Sequence, residues 1–303
     1  MDGRPDDGRP TSGPLARPGR LGLIGGSGLY RMAGLRDGAW TNIDTPWGPP
    51  SDAILLGTIA GRDVAFLPRH GRGHRLAPDE INYRANIAAL KAVGCDEILA
   101  ISAVGSFRED IPPGTFVMVD QYIDRTLRGG RSFFGNGIVA HVPFGHPTCA
   151  RLGVPIAEAL AALSLPHRTA GTMVVIEGPQ FSTRAESQMH RTAGFDVVGM
   201  TGLPEARLAR EAELCYASVA MVTDFDAWAD SAVDVAEIIQ VLGANAERAQ
   251  ALVEEVARRT SSRSTPCGHG CDRVVDTGVI TPRAAWPAAT AAKLATLAPR
   301  VFG

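Results

Sequence analysis

Short apolar, β-branched runs alternate along this chain with longer stretches of helical spacing, and that alternation constrains the fold more than any other feature. Strands are expected at residues 21–24, 53–59, 64–67, 97–103, 116–119, 172–176 and 216–223. Helices are expected at residues 83–93, 150–162, 184–193, 204–212 and 235–259, the first stopping at Gly94 as a C-terminal glycine. Apolar strands interleaved with helices imply an α/β sheet covered on both faces. A length of 303 residues suits one large domain of this kind, with two smaller domains as the alternative. Residues 1–20, rich in Gly, Pro, Arg and Asp, read as a disordered extension. From residue 261 to 303 the composition shifts to Pro, Gly, Cys and Ala, which reads as a tail packed over the domain or against another subunit.

Charge and hydropathy remove several functions. The formal net charge is -2 and acidic and basic residues are mixed, so no basic stripe for nucleic acid is present. No apolar run reaches the roughly 18–20 residues that span a bilayer, and the N-terminus lacks the apolar stretch of a signal peptide. The five cysteines (Cys95, Cys149, Cys215, Cys267 and Cys271) read as reduced thiols, three of them inside apolar or mixed segments, and a cytoplasmic location follows. Cys267-Gly268-His269-Gly270-Cys271 could hold a metal or close a local disulfide. Zinc generally needs four ligands, and no second cluster is visible along the sequence, so no metal site is expected.

In open α/β sheets ligands gather at the carboxyl ends of strands, and the strand ends here carry unusual residues. They are Gly25-Gly26-Ser27-Gly28, Arg69-His70-Gly71, Ser102-Ala103-Val104-Gly105, Glu177-Gly178-Pro179 and Asp224-Phe225-Asp226. The glycine loop can turn backbone N–H groups toward an anion, with the Ser27 hydroxyl as a further donor; alone it is equally a tight turn. It has no following Lys and misses Gly-x-Gly-x-x-Gly, which disfavours a P-loop and a nicotinamide dehydrogenase. Arg69 offers a planar fork for two phosphate oxygens and His70 a further donor. His74 and His190 read as locally satisfied histidines. The i, i+2 spacing of Asp224 and Asp226 puts both carboxyls on one face if extended geometry persists; by itself the pair could equally be a cap after a strand.

Taken in order, these motifs resemble the 5′-methylthioadenosine phosphorylase branch of the trimeric purine nucleoside phosphorylase family. The resemblance runs from about residue 21 to about residue 259. It rests on Gly25-Gly26-Ser27-Gly28-Leu29, Pro68-Arg69-His70-Gly71-Arg72-Gly73-His74 and Asn82-Tyr83-Arg84-Ala85-Asn86. Asp120-Gln121-Tyr122-Ile123-Asp124-Arg125-Thr126, residues 176–187 beginning Ile176-Glu177-Gly178-Pro179, and Thr223-Asp224-Phe225-Asp226-Ala227-Trp228 complete it. It implies a single α/β domain over residues 21–260, with a mixed, partly barrel-like central sheet flanked by helices. It implies a phosphate site from Ser27, Arg69, His70, Ser102, Ala103 and Thr201. Met200 would touch the ribose through its main chain, Phe181 and Ser182 would lie by the base, and Asp224 and Asp226 would be the catalytic pair on the base edge. His141 would reach the 5′-substituent pocket of an adjoining subunit in a homotrimer.

The implied reaction is phosphorolysis of a 5′-substituted adenosine to adenine and a ribose 1-phosphate, a step of purine and methionine salvage. The partners are a small-molecule nucleoside and inorganic phosphate as co-substrate, with no cofactor, nucleic acid or membrane. The acidic pair favours adenine over a 6-oxopurine, since a carboxylate accepts from an amine and repels a carbonyl. A 5′-halo-5′-deoxyadenosine remains an alternative substrate, because the 5′ pocket, formed by His141, residues 233–238 and the tail, is not fixed by sequence. A non-catalytic nucleoside-binding protein is the alternative from another class.

Overall fold

A computed structural model describes residues 19–26, 29, 34–229, 235–263 and 265–303. Most of the expected extension, together with Ser27, Gly28 and part of the 233–238 segment, lies outside the described residues. The strands are β1 (Arg20–Gly25), β2 (Leu35–Thr41), β3 (Ile54–Ile59), β4 (Arg62–Pro68), β5 (Cys95–Ser106), β6 (Phe116–Val119), β7 (Gln121–Asp124), β8 (His167–Arg168), β9 (Thr172–Val175), β10 (Val197–Gly199) and β11 (Cys215–Phe225). The helices are α1 (Tyr83–Ala92), α2 (Ala150–Ala162), α3 (Arg184–Thr192), α4 (Gly202–Glu211), α5 (Val235–Arg259), α6 (Ala288–Ala295) and α7 (Pro299–Phe302).

All the strands join one mixed sheet whose main path runs β2-β3-β4-β1-β5-β10-β9-β7. The twelve-residue β5 is its hinge. It pairs in parallel with β1 on one side and with β11 along most of its length, and its last residues also pair antiparallel with β10. Off β11 runs a second branch, through β6 to β8. A sheet that forks at one strand curls around its own core, which is the physical content of the partly barrel-like form expected above. β1 and β11, flanking β5, are almost wholly buried and apolar, as strands covered on both faces should be.

Local signals set the helix limits. In α1 the Asn82 side chain accepts from the Ala85 N–H at 3.1 Å, and Gly94 follows with φ +89. In α3, Thr183 and Glu186 form a reciprocal capping box. From the last segment, Val275, Leu294, Leu297, Ala298 and Phe302 enter the same apolar cluster as Tyr83, Ile87 and Leu203. Among the described residues no helix is long and apolar enough to cross a membrane.

Candidate active site

The carboxyl ends of β5, β9, β10 and β11 and the loop after β4 enclose a cleft of about 280 Å³. Arg69, His70, Ser102, Ala103, Met200, Thr201, Phe181, Asp224 and Asp226 all line it. Sequence regions up to about 150 residues apart are thus brought together as expected. Three expected residues remain. Ser27 lies outside the described residues. Ser182 does not line the cleft, and its buried Oγ has no hydrogen-bond partner among the described residues. His141 lies in a separate hollow with Phe144, Arg207 and Glu211, its N–H donating to the Gly278 carbonyl at 2.8 Å. A larger cavity of about 910 Å³, beside Met118, Cys149 and His269, contains none of the expected site residues.

At one end of the cleft Arg69 is 1% exposed, a buried cation that must be compensated. Glu205, on the first turn of α4, does this: Arg69 Nε and Nη2 donate to its two oxygens at 2.8 and 3.0 Å, and Nη1 donates to the Ile101 carbonyl at 3.0 Å. Glu205 thus takes one edge of the fork expected to grip two phosphate oxygens. The Nε edge is committed to Glu205, and what is left for a ligand is one N–H on each terminal nitrogen. Glu205 also accepts from the Tyr216 hydroxyl at 2.9 Å. No local pattern announced Glu205; an acid in the first turn of a helix is common for dipole reasons alone.

His70 also departs from expectation. Its Nδ1 lies 2.8 Å from the Leu76 carbonyl, so Nδ1 carries the proton and donates. Burial, with help from Arg69 and His74, pushes the imidazole down to about 4. In the neutral ring Nε2 is then an acceptor, able to receive an O–H from a protonated phosphate oxygen rather than donate to a bare one. His74, set aside on sequence grounds, lines the cleft and stacks on His70 with ring centroids 4.2 Å apart. Thr201, the residue before α4, has no side-chain cap bond and lines the same cleft.

At the opposite end the carboxyls of β11 converge. Asp224 sits opposite Gly105 on β5, just past a register shift, and Asp226 follows the strand's last residue. Irregular backbone replaces the strict extended geometry expected, yet both acids reach the cleft. Gly105 makes this possible: a Cβ there would meet Asp224 Oδ2 and Val198 Cγ1 at 3.1 Å each. Thr223 donates to Asp224 Oδ1 at 2.6 Å, leaving Oδ2 as the oxygen able to carry a proton. Burial foremost, with the nearby Asp226 adding, holds the Asp224 carboxyl up at about 6 against the Thr223 bond that lowers it. Asp226 is 2% exposed and its Oδ2 has no hydrogen-bond partner among the described residues. A buried orphan acceptor costs about 1–3 kcal/mol, which a ligand N–H would relieve.

Arg128, another residue sequence reasoning missed, is the brace of the cleft wall. It donates to the carbonyls of Pro78, Met200 and Glu177 at 3.1, 2.9 and 2.8 Å and to the Tyr83 hydroxyl at 2.8 Å. One buried cation thereby fixes the loop ends after β9 and β10, which carry Phe181 and Met200.

The family model of the phosphorylase superfamily matches residues 20–258. The chain is 51% identical to the S-methyl-5′-thioadenosine phosphorylase of Cereibacter sphaeroides, over 93% of this chain and 98% of that one. It is also 51% identical to that of Rhodospirillum rubrum, over 93% and 97%. A crystal structure of a methylthioadenosine phosphorylase from an antarctic soil metagenomic library superposes with a TM-score of 0.83 at 42% identity, covering 92% of this chain and 99% of that one. A methylthioadenosine phosphorylase from Schistosoma mansoni in complex with tubercidin gives 0.74 at 36% identity, covering 78% and 90%. With its motifs gathered in one cleft and relatives half identical over nearly its whole length, this chain belongs to the phosphorylase superfamily.

Proposed function

We propose that the chain cleaves the N-glycosidic bond of 5′-methylthioadenosine with phosphate, giving adenine and 5-methylthioribose 1-phosphate. The observation that carries this reading is the buried Asp224 carboxyl, held up at about 6, across one cleft from Arg69 and a neutral His70. The kinship with S-methyl-5′-thioadenosine phosphorylases supplies the substrate.

Each end has a task. Phosphate rests against the two remaining Arg69 N–H groups, the Ser102-Ala103 turn and the Thr201 hydroxyl, with its own O–H donated to His70. Ser27 belongs to the same set by the motif it occupies. Arg69 is largely neutralised by Glu205, so the bound phosphate keeps enough charge to favour a sugar of oxocarbenium character. As the C1′–N9 bond breaks, a phosphate oxygen bonds C1′, and the Asp224 carboxyl passes its proton to N7 of the departing adenine. Asp226 accepts from the 6-amino group, which rejects 6-oxopurines. Phe181 packs on the base and the Met200 main chain meets the ribose.

The working assembly in this reading is a homotrimer in the cytoplasm. His141, remote from its own cleft, serves the 5′ pocket of an adjoining subunit. The mass of the native particle by light scattering tests this; a monomer with full activity would refute it. The substrate assignment is tested by a phosphorolysis panel of methylthioadenosine, adenosine, inosine and a 5′-halo-5′-deoxyadenosine. Methylthioadenosine should be cleaved with the highest kcat/KM and inosine barely at all. Preference for inosine would overturn the role of the acidic pair.

A further inference from the structure

Away from the cleft, four cysteines from three distant parts of the chain meet at one point. Cys149 precedes α2, Cys215 opens β11, and Cys267 and Cys271 flank the Gly268-His269-Gly270 turn. Their Sγ atoms all lie within 4.8 Å of one another, and all four residues are buried. The premise that no second cluster exists is thus corrected: the partners of the tail pair are Cys149 and Cys215, 118 residues and about half that away in sequence.

The spacing discriminates between the chemistries four thiols can support. Cys149 and Cys267 Sγ are 3.7 Å apart. A disulfide requires about 2.0 Å. A tetrahedral ion about 2.3 Å from each of four sulfurs sets them about 3.8 Å apart. The turn is shaped for the second case. Gly270 adopts φ +68, its N–H donates to the Cys267 carbonyl at 2.8 Å, and the Cys267 N–H donates to Asp272 Oδ1 at 3.1 Å. Cys267 and Cys271 are thereby folded back toward a common centre.

The surroundings carry the matching charge. A divalent ion held by four thiolates has a net charge of -2, which burial would penalise without cations beside the sulfurs. Arg210 Nη1 lies 3.4 Å from Cys271 Sγ, and Arg151 Nη2 and Arg263 Nη1 lie 3.6 and 3.7 Å from Cys215 Sγ. Glu97 holds Arg151, and Asp96 and Asp272 stand 3.9 and 3.7 Å from Arg263, so part of this positive charge is already offset.

We propose that Cys149, Cys215, Cys267 and Cys271 form a closed tetrahedral site for one zinc ion. With four protein ligands and no open position the site is structural. It pins the tail to the body where α2 and β11 begin. Past it, the tail pairs with the segment bearing His141, through the Val279–Ala140 bridge and the Ile280 N–H to the Val139 carbonyl at 2.9 Å, and then enters the core through Phe302. Loss of the ion should loosen the tail and the His141 segment together.

The test is elemental analysis of the full-length protein, prepared without a metal-affinity tag, before and after treatment with a mercurial that releases thiolate-bound zinc. Zinc at about one per chain, falling to background in Cys267→Ser/Cys271→Ser, is expected. Should that variant fail to fold, cobalt(II) exchanged into the unaltered protein gives an independent readout: the thiolate charge-transfer and visible bands of tetrahedral cobalt. Zinc-free protein whose five thiols all titrate after denaturation, or a non-reduced digest joining Cys149 to Cys267, would overturn the proposal.

Discussion

At the phosphate end of the cleft the charges already have partners, whereas at the base end they do not. Arg69 is clasped by Glu205 and His70 is neutral and bonded to Leu76, while Asp226 Oδ2 is bare and Asp224 holds a proton far more tightly than an ordinary carboxyl. The difference teaches where binding and chemistry are divided. On the proposed function, the first end receives an anion without trapping it, and the second is left unsatisfied for the departing base to complete.

The largest effect should come from taking away the proton donor. Asp224→Asn is expected to lower kcat on methylthioadenosine by about 10²–10⁴-fold, and Asp226→Asn to narrow the gap between adenosine and inosine. Steady-state kinetics on both nucleosides checks this, and an unchanged substrate ratio would mean the base lies elsewhere. Unpairing the other end should be felt in stability: Glu205→Ala strands Arg69 as a buried cation and is expected to cost about 3–5 kcal/mol in denaturant unfolding. A loss below about 1 kcal/mol would show that Arg69 finds another anion.

The two ends should also respond to pH with opposite sign. Asp224 favours the fold fully at low pH, and that contribution is lost as pH rises from 3.8 toward about 6. His70 favours it fully above 6.5, and its contribution is lost as pH falls toward about 4. Each amounts to about 3 kcal/mol, so they nearly cancel in the intact protein. In Asp224→Asn the His70 part is no longer offset by Asp224, with stability rising between pH 4 and 6.5 relative to the parent; pH-dependent unfolding curves that stay parallel would sink the comparison. In activity, kcat/KM should fall above about pH 6 along a limb that Asp224→Asn lacks. The smallest effect expected is that of Gly105→Ala. Its Cβ crowds Asp224 Oδ2 and Val198, at a cost of about 1–3 kcal/mol and with a lowered kcat while KM for phosphate stays put.

What the sequence could convey follows from how local each signal is. The ends of α2, α5 and β6 matched their apolar periodicity because each buries a face of its own. β2 escaped notice: Leu-Arg-Asp-Gly-Ala-Trp-Thr is an exposed edge strand, held by pairing to β3 rather than by an apolar pattern. Arg69, His70 and the acid pair stood out because they sit at strand ends, where function concentrates. Glu205 and Arg128 did not, since what they hold is brought to them only by the sheet. The cysteines show the same limit. The tail pair was visible as a motif, but its second pair lies in segments that read as ordinary core.

Omitting phosphate tests the central claim most directly. Protein, methylthioadenosine and phosphate should release adenine together with an equal amount of 5-methylthioribose 1-phosphate, seen by phosphorus NMR, and without phosphate no adenine should appear. Adenine released at the same rate without phosphate would mean that water is the nucleophile, contradicting the anion site assigned to Arg69, His70, Ser102 and Thr201.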